Sequence, residues 1–322
     1  MAQITLGLAG DTMLGRGVAE HLRRHPPSSL FSPEVREAAR EADLFVLNLE
    51  CCVSDRGERW PDPAKPFFFR APPVAVEALA LLGVDCVTLA NNHALDFGPE
   101  ALLDTIELLG RAGIRIAGAG ATSAEAEAPA VLQARGLRVA VIGLADHPAG
   151  YAAAPERPGV AYADLRSGLP DWVRTMVEAA GQDSDVVVVS PHWGPNMAPS
   201  PVPHVRNASR ELLGAGATLL AGHSAHVFQG VQGTVLFDLG DFIDDYAVDP
   251  VRRNDLGLLW LVTLDEQGPV RLEATPLRLD YCHTRTAADE DAEWVRRRFV
   301  EACALFGTDV TSRDGRLMVQ WR

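Results

Sequence analysis

Val87–Gly98 reads VTLANNHALDFG, and the order of residue types within it decides the fold class. The apolar, β-branched run Val84, Val87, Thr88 and Leu89 has the character of a buried strand, and it stops at Asn91, Asn92 and His93. Asp96 and Gly98 follow, and from Pro99 the apolar spacing turns helical through Ala101, Leu102, Thr105, Ile106, Leu108 and Leu109. A buried strand that gives way to polar side chains and then to a helix is how an open α/β sheet builds a site. Asparagine and histidine at a single strand end also serve as turn caps. Recurrence of the pattern separates these readings.

It recurs along the chain. Strands are expected over Gln3–Ala9, ending at Gly10-Asp11, and over Asp43–Asn48, leading into Leu49-Glu50. Two more are expected over Asp185–Ser190, ending at Pro191-His192-Trp193, and over Thr218–Ala221, ending at Gly222-His223-Ser224-Ala225-His226. Helical patterns lie between them at Val18–Arg24, Pro33–Glu41, Val74–Leu82, Pro170–Ala180 and Pro203–Ala215. Val131–Leu132 with Arg138–Leu144, and Leu258–Leu264 with Val270–Pro276, read as antiparallel pairs. Helix-linked and hairpin-linked strands together predict an α/β fold with two packed sheets. Residues 1–280 read as one domain, with 281–322 supplying a C-terminal helix and strand that pack on it.

The 322 residues are 47% hydrophobic and 22% charged, an ordinary globular composition. A net charge of −14, with no basic stripe, argues against nucleic acid and anionic membrane surfaces as partners. No apolar run reaches the roughly 18–20 residues of a bilayer span. Met1–Asp11 has neither a charged leader nor a long apolar core, so no membrane anchor is expected. Cys51, Cys52, Cys86, Cys282 and Cys303 lie in apolar contexts without CxxC spacing, which predicts a reduced, cytoplasmic protein with Cys51-Cys52 as core filling. The loop 54–73 is rich in proline, charge and aromatics. At least two of Phe67, Phe68 and Phe69 are expected in the core; alternatively the loop, with Trp60 and Trp193, receives a peptide or other bulky apolar substrate.

Five strand ends thus carry metal-competent side chains: Asp11; Glu50; Asn91, Asn92 and His93; His192; and His223 with His226. Imidazole, carboxylate and amide oxygen together suit divalent Mn, Fe, Zn or Mg. The lack of cysteine at these positions argues against a structural zinc site. Carboxylates able to bridge, with histidines to either side, suit two ions roughly 3.5–4 Å apart.

The series GDTMLGR (10–16), NLE (48–50), KPFFFRAP (65–72), LANNHALDFG (89–98), GAGAT (118–122), HWG (192–194), GHSAHVFQG (222–230) and FDLGDF (237–242), with Phe306-Gly307-Thr308, closely resembles the CapA capsule-biosynthesis family. That family is similar to the calcineurin-like metallophosphoesterases. The resemblance implies a four-layer fold, two mixed β-sheets flanked by helices, with a dinuclear metal site. It also implies that Asp11 and His226 ligate one metal, that Asn92, His192 and His223 ligate the other, and that Glu50 takes the bridging position. His93 is then the acid/base, Asp96 a further catalytic candidate in the same motif, and Asn91 structural. Arg16 is placed to hold an anionic group or to form a surface ion pair. Asp146 and His147 end another strand and are extra acid/base candidates or turn residues.

Three departures from the family pattern stand out. Met13 occupies a position where the superfamily has a metal-binding histidine. Pro195-Asn196-Met197 follows His-Trp-Gly where a glutamate is usual, and Gly240-Asp241 replaces Gly-Asn, adding a carboxylate. The resemblance leaves three functions open on an anionic or peptide substrate. One is metal-dependent hydrolysis of a phosphoester or amide bond. Another is peptide epimerisation by removal and return of a Cα proton, as in ribosomal and lasso-peptide pathways. The last is a non-catalytic role in assembling a poly-γ-glutamate-type polymer.

Overall fold

Apolar side chains on both faces of a strand require cover on both faces, and two strand groups here meet that condition. Leu44–Leu49 and Val186–His192 are buried at every position. In the computed structural model, which describes residues 3–322, they lie at the centres of two different sheets. The larger sheet has ten strands. Its path runs Thr311–Arg313, Arg316–Gln320, Gly268–Asp280, Leu256–Asp265, Ile4–Thr12, Leu44–Leu49, Cys86–Thr88 and Arg115–Ala117. The first strand pairs in parallel with Leu44–Leu49 and antiparallel with Leu256–Asp265, so the sheet is mixed. The smaller sheet has six strands, with Leu137–Ala145, Val186–His192 and Leu219–Ala221 parallel at its heart.

Three apolar layers hold this together. Ile4, Leu6, Leu8, Val139, Val141, Val186, Val188 and Trp260 fill the space between the sheets. The outer face of the larger sheet packs on helices Pro33–Ala39, Ala75–Leu82 and Gly98–Arg111 through Val35, Leu79 and Leu102. Val173, Val177 and Leu212 from helices Asp171–Asp183 and Pro203–Gly214 cover the outer face of the smaller sheet. The architecture is four-layer α/β. Gly118 (φ +83°), just past a strand of the larger sheet, packs closely on Gly143 of the smaller one, since a Cβ on Gly118 would lie 2.9 Å from the Gly143 Cα. Residues 281–322 contribute strands His283–Thr286, Thr311–Arg313 and Arg316–Gln320 to the larger sheet, and helix Asp289–Ala304 packs on it through Phe299 and Trp260.

Two expectations change. Strands extend into their polar ends: the first runs to Thr12 and carries Asp11 inside it, and Val186–His192 includes His192. Of the three phenylalanines only Phe69 is buried; Phe68 is half-buried and Phe67 is 56% exposed. The loop crosses the surface, and only its last phenylalanine reaches the interior before the short strand Arg70–Ala71. All five cysteines are free and buried. Among the described residues no helix is long and apolar enough to cross a membrane.

Candidate metal centre

The parallel strand ends converge on Asp11. A backbone bridge sets His192 beside His223, with their Nδ1 atoms 2.8 Å apart. Asp11, His192 and His223 offer ligand atoms within 4.8 Å of one another, and so, separately, do Asp11, Glu50, His226 and Asp241. Asp11 belongs to both groups, whereas Glu50 belongs to one, so the shared carboxylate here is Asp11. Asp241, the carboxylate that replaces the usual asparagine, joins the second group. Met13 is buried and its sulfur accepts from the Gly15 N–H at 3.0 Å, so it turns inward as packing.

Close backbone approach sets this geometry. A Cβ on Gly10 would lie 1.9 Å from the Gly240 carbonyl oxygen, so only glycine lets Asp11 and Asp241 sit on adjacent paired strands. The turn after Leu219–Ala221 carries Ser224 at φ +118° and His226 at φ +59°. In that left-handed backbone the Ser224 N–H donates to Asp11 at 3.2 Å and His226 Nδ1 lies 2.8 Å from Asp241. Backbone strain of this kind collects at sites that need fixed side chains.

Burial and like charge dominate the electrostatics. Glu50 is pushed well above the usual carboxylate range by burial and then by Asp11. Asp241 is raised likewise by burial and then by Asp244, and Asp244 itself is pushed by burial to about 6. Burial alone would lower His226, but the carboxylates led by Glu50 and Asp11 outweigh it and raise it. On the other side burial drives His223 down to about 3, and burial with His223 drives His192 well below its ordinary value. Neutral imidazoles and crowded carboxylates are a ligand set for divalent cations. Glu50 Oε1, Asp241 Oδ2 and Asn92 Oδ1 are buried without any hydrogen-bond partner. Such orphans cost free energy unless a cation satisfies them, so the residues fit metal.

Beside the metal-ligand groups lies a cavity of 350 Å³, with Arg16, Phe69, His93, Met197, His226 and Tyr246 in its wall. His93 Nδ1 is 2.6 Å from Asp96 Oδ2, and its ring stacks on Phe69 at 3.9 Å between centroids. Burial lowers His93 to about 4 against the opposing pull of Asp96. Asp96 also accepts from the Phe69 N–H (2.6 Å) and the Tyr151 hydroxyl (3.1 Å), and pairs with Lys65 (2.9 Å). Asn91 is structural, as expected, donating to the Asn48 side chain and the Leu49 carbonyl. Arg16 forms an ion pair with Asp245 at 3.1 Å and lines the cavity as well. His147 stands apart from that cavity, its Nδ1 on Asp146 and its ring 5.2 Å from that of His192. Asp146 holds His204 at 3.1 Å on its other oxygen.

Sequence reasoning missed several residues. Asn48 donates to Asp11 at 2.7 Å, Tyr246 donates to Glu50 at 3.2 Å, and Lys65 donates to the Asn92 carbonyl at 2.7 Å. Asn48 and Lys65 open the quoted motifs NLE and KPFFFRAP and so carried a readable signal; Tyr246 and His204 sit in loop or helix with none.

The family model for the bacterial capsule synthesis protein PGA_cap matches residues 5–246. The chain belongs to this family. A relative in Mycobacterium tuberculosis, named a "Probable polyglutamine synthesis accessory protein", is 29% identical over 98% of this chain and 95% of its own length. The "PGA biosynthesis protein CapA" of Bacillus subtilis is 28% identical over 92% of this chain and 76% of its own. The "Capsule biosynthesis protein CapA" of Bacillus anthracis is 28% identical over 86% of this chain and 68% of its own. All of the metal-ligand groups of this PGA_cap member, Asp11 to Asp241, lie inside the matched span.

Proposed function

We propose that the protein is a metal-dependent hydrolase of phosphoester or amide bonds, working with two divalent ions held by the two ligand groups that share Asp11. The observation that carries this reading is the pair of ligand groups sharing Asp11, in which Glu50 and Asp241 each keep a buried, unpartnered oxygen, beside a cavity lined by His93 and His226. Asp11, Glu50, His226 and Asp241 would hold one ion; Asp11, His192 and His223, with Asn92 completing the set, would hold the other. Ions held there would supply Lewis-acid chemistry and a water of lowered pKa.

The chain's own residues do the rest. With Nδ1 committed to Asp96, His93 exchanges a proton with the reacting group at Nε2. Phe69 stacks on the imidazole and Asp96 fixes its rotation, so the ring keeps one orientation. Arg16, steadied by Asp245, receives an anionic group of the substrate. His147, oriented by Asp146, lies beside His192 and outside the wall of that cavity, so proton exchange with the substrate is assigned to His93. The relatives are named for polyglutamine synthesis and capsule biosynthesis, which supports keeping amide bonds beside phosphoesters in the substrate class.

The test is turnover of bis(4-nitrophenyl) phosphate and of γ-glutamyl-4-nitroanilide by manganese-loaded protein. Cleavage of either, reduced about 100-fold or more in His93→Ala with metal content unchanged, is the expected result. Metal-loaded protein that cleaves neither, or a His93→Ala variant as fast as wild type, contradicts the reading.

A further inference from the structure

The wall of the cavity beside His93 and His226 is mostly apolar, which is unexpected for a pocket that would serve a highly charged polymer. Phe67, Phe69, Met197, Tyr246 and Ala247 are five of its ten lining residues. Arg16 is the one permanently charged cation among its described lining residues, and it enters through a ring of aromatics. Its guanidinium lies 5.5 Å from the Phe67 ring, 5.6 Å from Phe69 and 5.7 Å from Tyr246. One N–H edge of it is already committed to Asp245, with Nε 3.2 Å from Oδ2 and Nη2 3.1 Å from Oδ1. Phe67 is 56% exposed, although exposing a large ring to water is unfavourable without a partner. A net charge of −14 adds a long-range field against polyanions.

Resting on the hydrolase reading above, we infer that the substrate joins a single anionic group directly to a planar apolar group. The anion meets Arg16, the planar group lies on the exposed ring of Phe67, and a polyanionic chain is excluded. A cavity of 350 Å³ takes one such unit, and the remainder of a longer molecule stays outside. Aromatic groups stack on the Phe67 ring, and a guanidinium held among three rings keeps a defined direction for one anion. A chain with a carboxylate on every residue would need a cation at every step, and the lining offers one.

Titration calorimetry on metal-loaded protein tests this with phenylphosphonate, methylphosphonate and poly-γ-glutamate, none of which needs to be turned over. Phenylphosphonate should bind at least tenfold more tightly than methylphosphonate. Phe67→Ala should remove that preference, and Phe67→Tyr should keep it. Arg16→Gln should weaken both phosphonates. Phe67 is largely exposed, so Phe67→Ala keeps its fold, which circular dichroism checks. Equal binding of the two phosphonates, an unaltered preference in Phe67→Ala, or displacement of phenylphosphonate by poly-γ-glutamate overturns the inference. Metal content of the same samples separates the two proposals. Protein without metal that still prefers the phenyl compound removes the hydrolase reading and keeps the substrate class. Metal-loaded protein without the preference does the reverse.

Discussion

Asp96 shows how much one residue carries. It is fully buried and takes hydrogen bonds or charge from His93, Phe69, Tyr151 and Lys65, so every neighbour within reach is a donor. Asp96→Asn keeps the shape but gives His93 Nδ1 an amide that can donate as well as accept, and the imidazole loses its fixed tautomer. We expect kcat to fall about 100-fold or more with KM nearly unchanged, as steady-state kinetics on the better nitrophenyl substrate would read. Asp96→Ala is a different change. It strands the Lys65 ammonium, only 12% exposed, without its carboxylate and should cost about 3–5 kcal/mol in urea unfolding. At this scale the sequence was legible wherever an apolar run broke on a polar side chain, as at Asp11, Glu50, His93, His192 and His223. Tyr246 was not legible, because its meaning lies in a hydroxyl reaching Glu50 from 196 residues away. His204 likewise acquires its role through Asp146, 58 residues distant, from a helix face that reads as ordinary surface.

Among the elements, the crossing of the first strand with Asp241–Ile243 governs the centre. These strands pair in parallel with Asp11 opposite Asp241, and Gly10 lies against the Gly240 carbonyl. Gly10→Ala forces the two backbones apart and moves both carboxylates. The variant should lose metal from the Asp11–Glu50–His226–Asp241 group and about 1–3 kcal/mol of stability or more, measured by elemental analysis and by denaturant unfolding. Gly118→Ala makes a useful contrast. Its Cβ would lie 2.6 Å from that of Ala90, at the contact between sheets, and φ +83° adds backbone strain. It should destabilise comparably while the surviving folded protein keeps its metal. Most strands and helices were readable from periodicity, since buried runs such as Asp185–Ser190 and amphipathic spacing such as Leu102 to Leu109 admit one reading. What periodicity could not supply were the short pieces, Cys52–Val53, Arg70–Ala71 and Asp241–Ile243, which exist only through their partners. The phenylalanine loop divides its two expected readings: of the three rings only Phe69 is buried, and Phe67 stays exposed and lines an opening.

For the molecule as a whole, a buried acidic cluster ties stability to cations. Asp11, Glu50, Asp238, Asp241 and Asp244 are all buried around His226, and burial, followed by mutual repulsion, raises Glu50, Asp238 and Asp241 well above the usual carboxylate range. A ligand that binds only the folded state stabilises it by about 4 kcal/mol at a thousand times its Kd. Chelation should therefore lower the Tm by several degrees, and adding back a divalent ion should restore it; a Tm indifferent to both would oppose the account. The four-layer plan itself was legible, because strand ends bearing ligands recur with helices between them and hairpins beside them.

The most direct measurement is the metal stoichiometry of reconstituted protein by elemental mass spectrometry, for wild type, His223→Ala and Asp11→Ala. Sharing of Asp11 between the two ligand groups predicts about two equivalents, about one, and none, respectively. A wild type that retains no manganese, iron, zinc or magnesium after reconstitution, or an Asp11→Ala variant that keeps two ions, would contradict it.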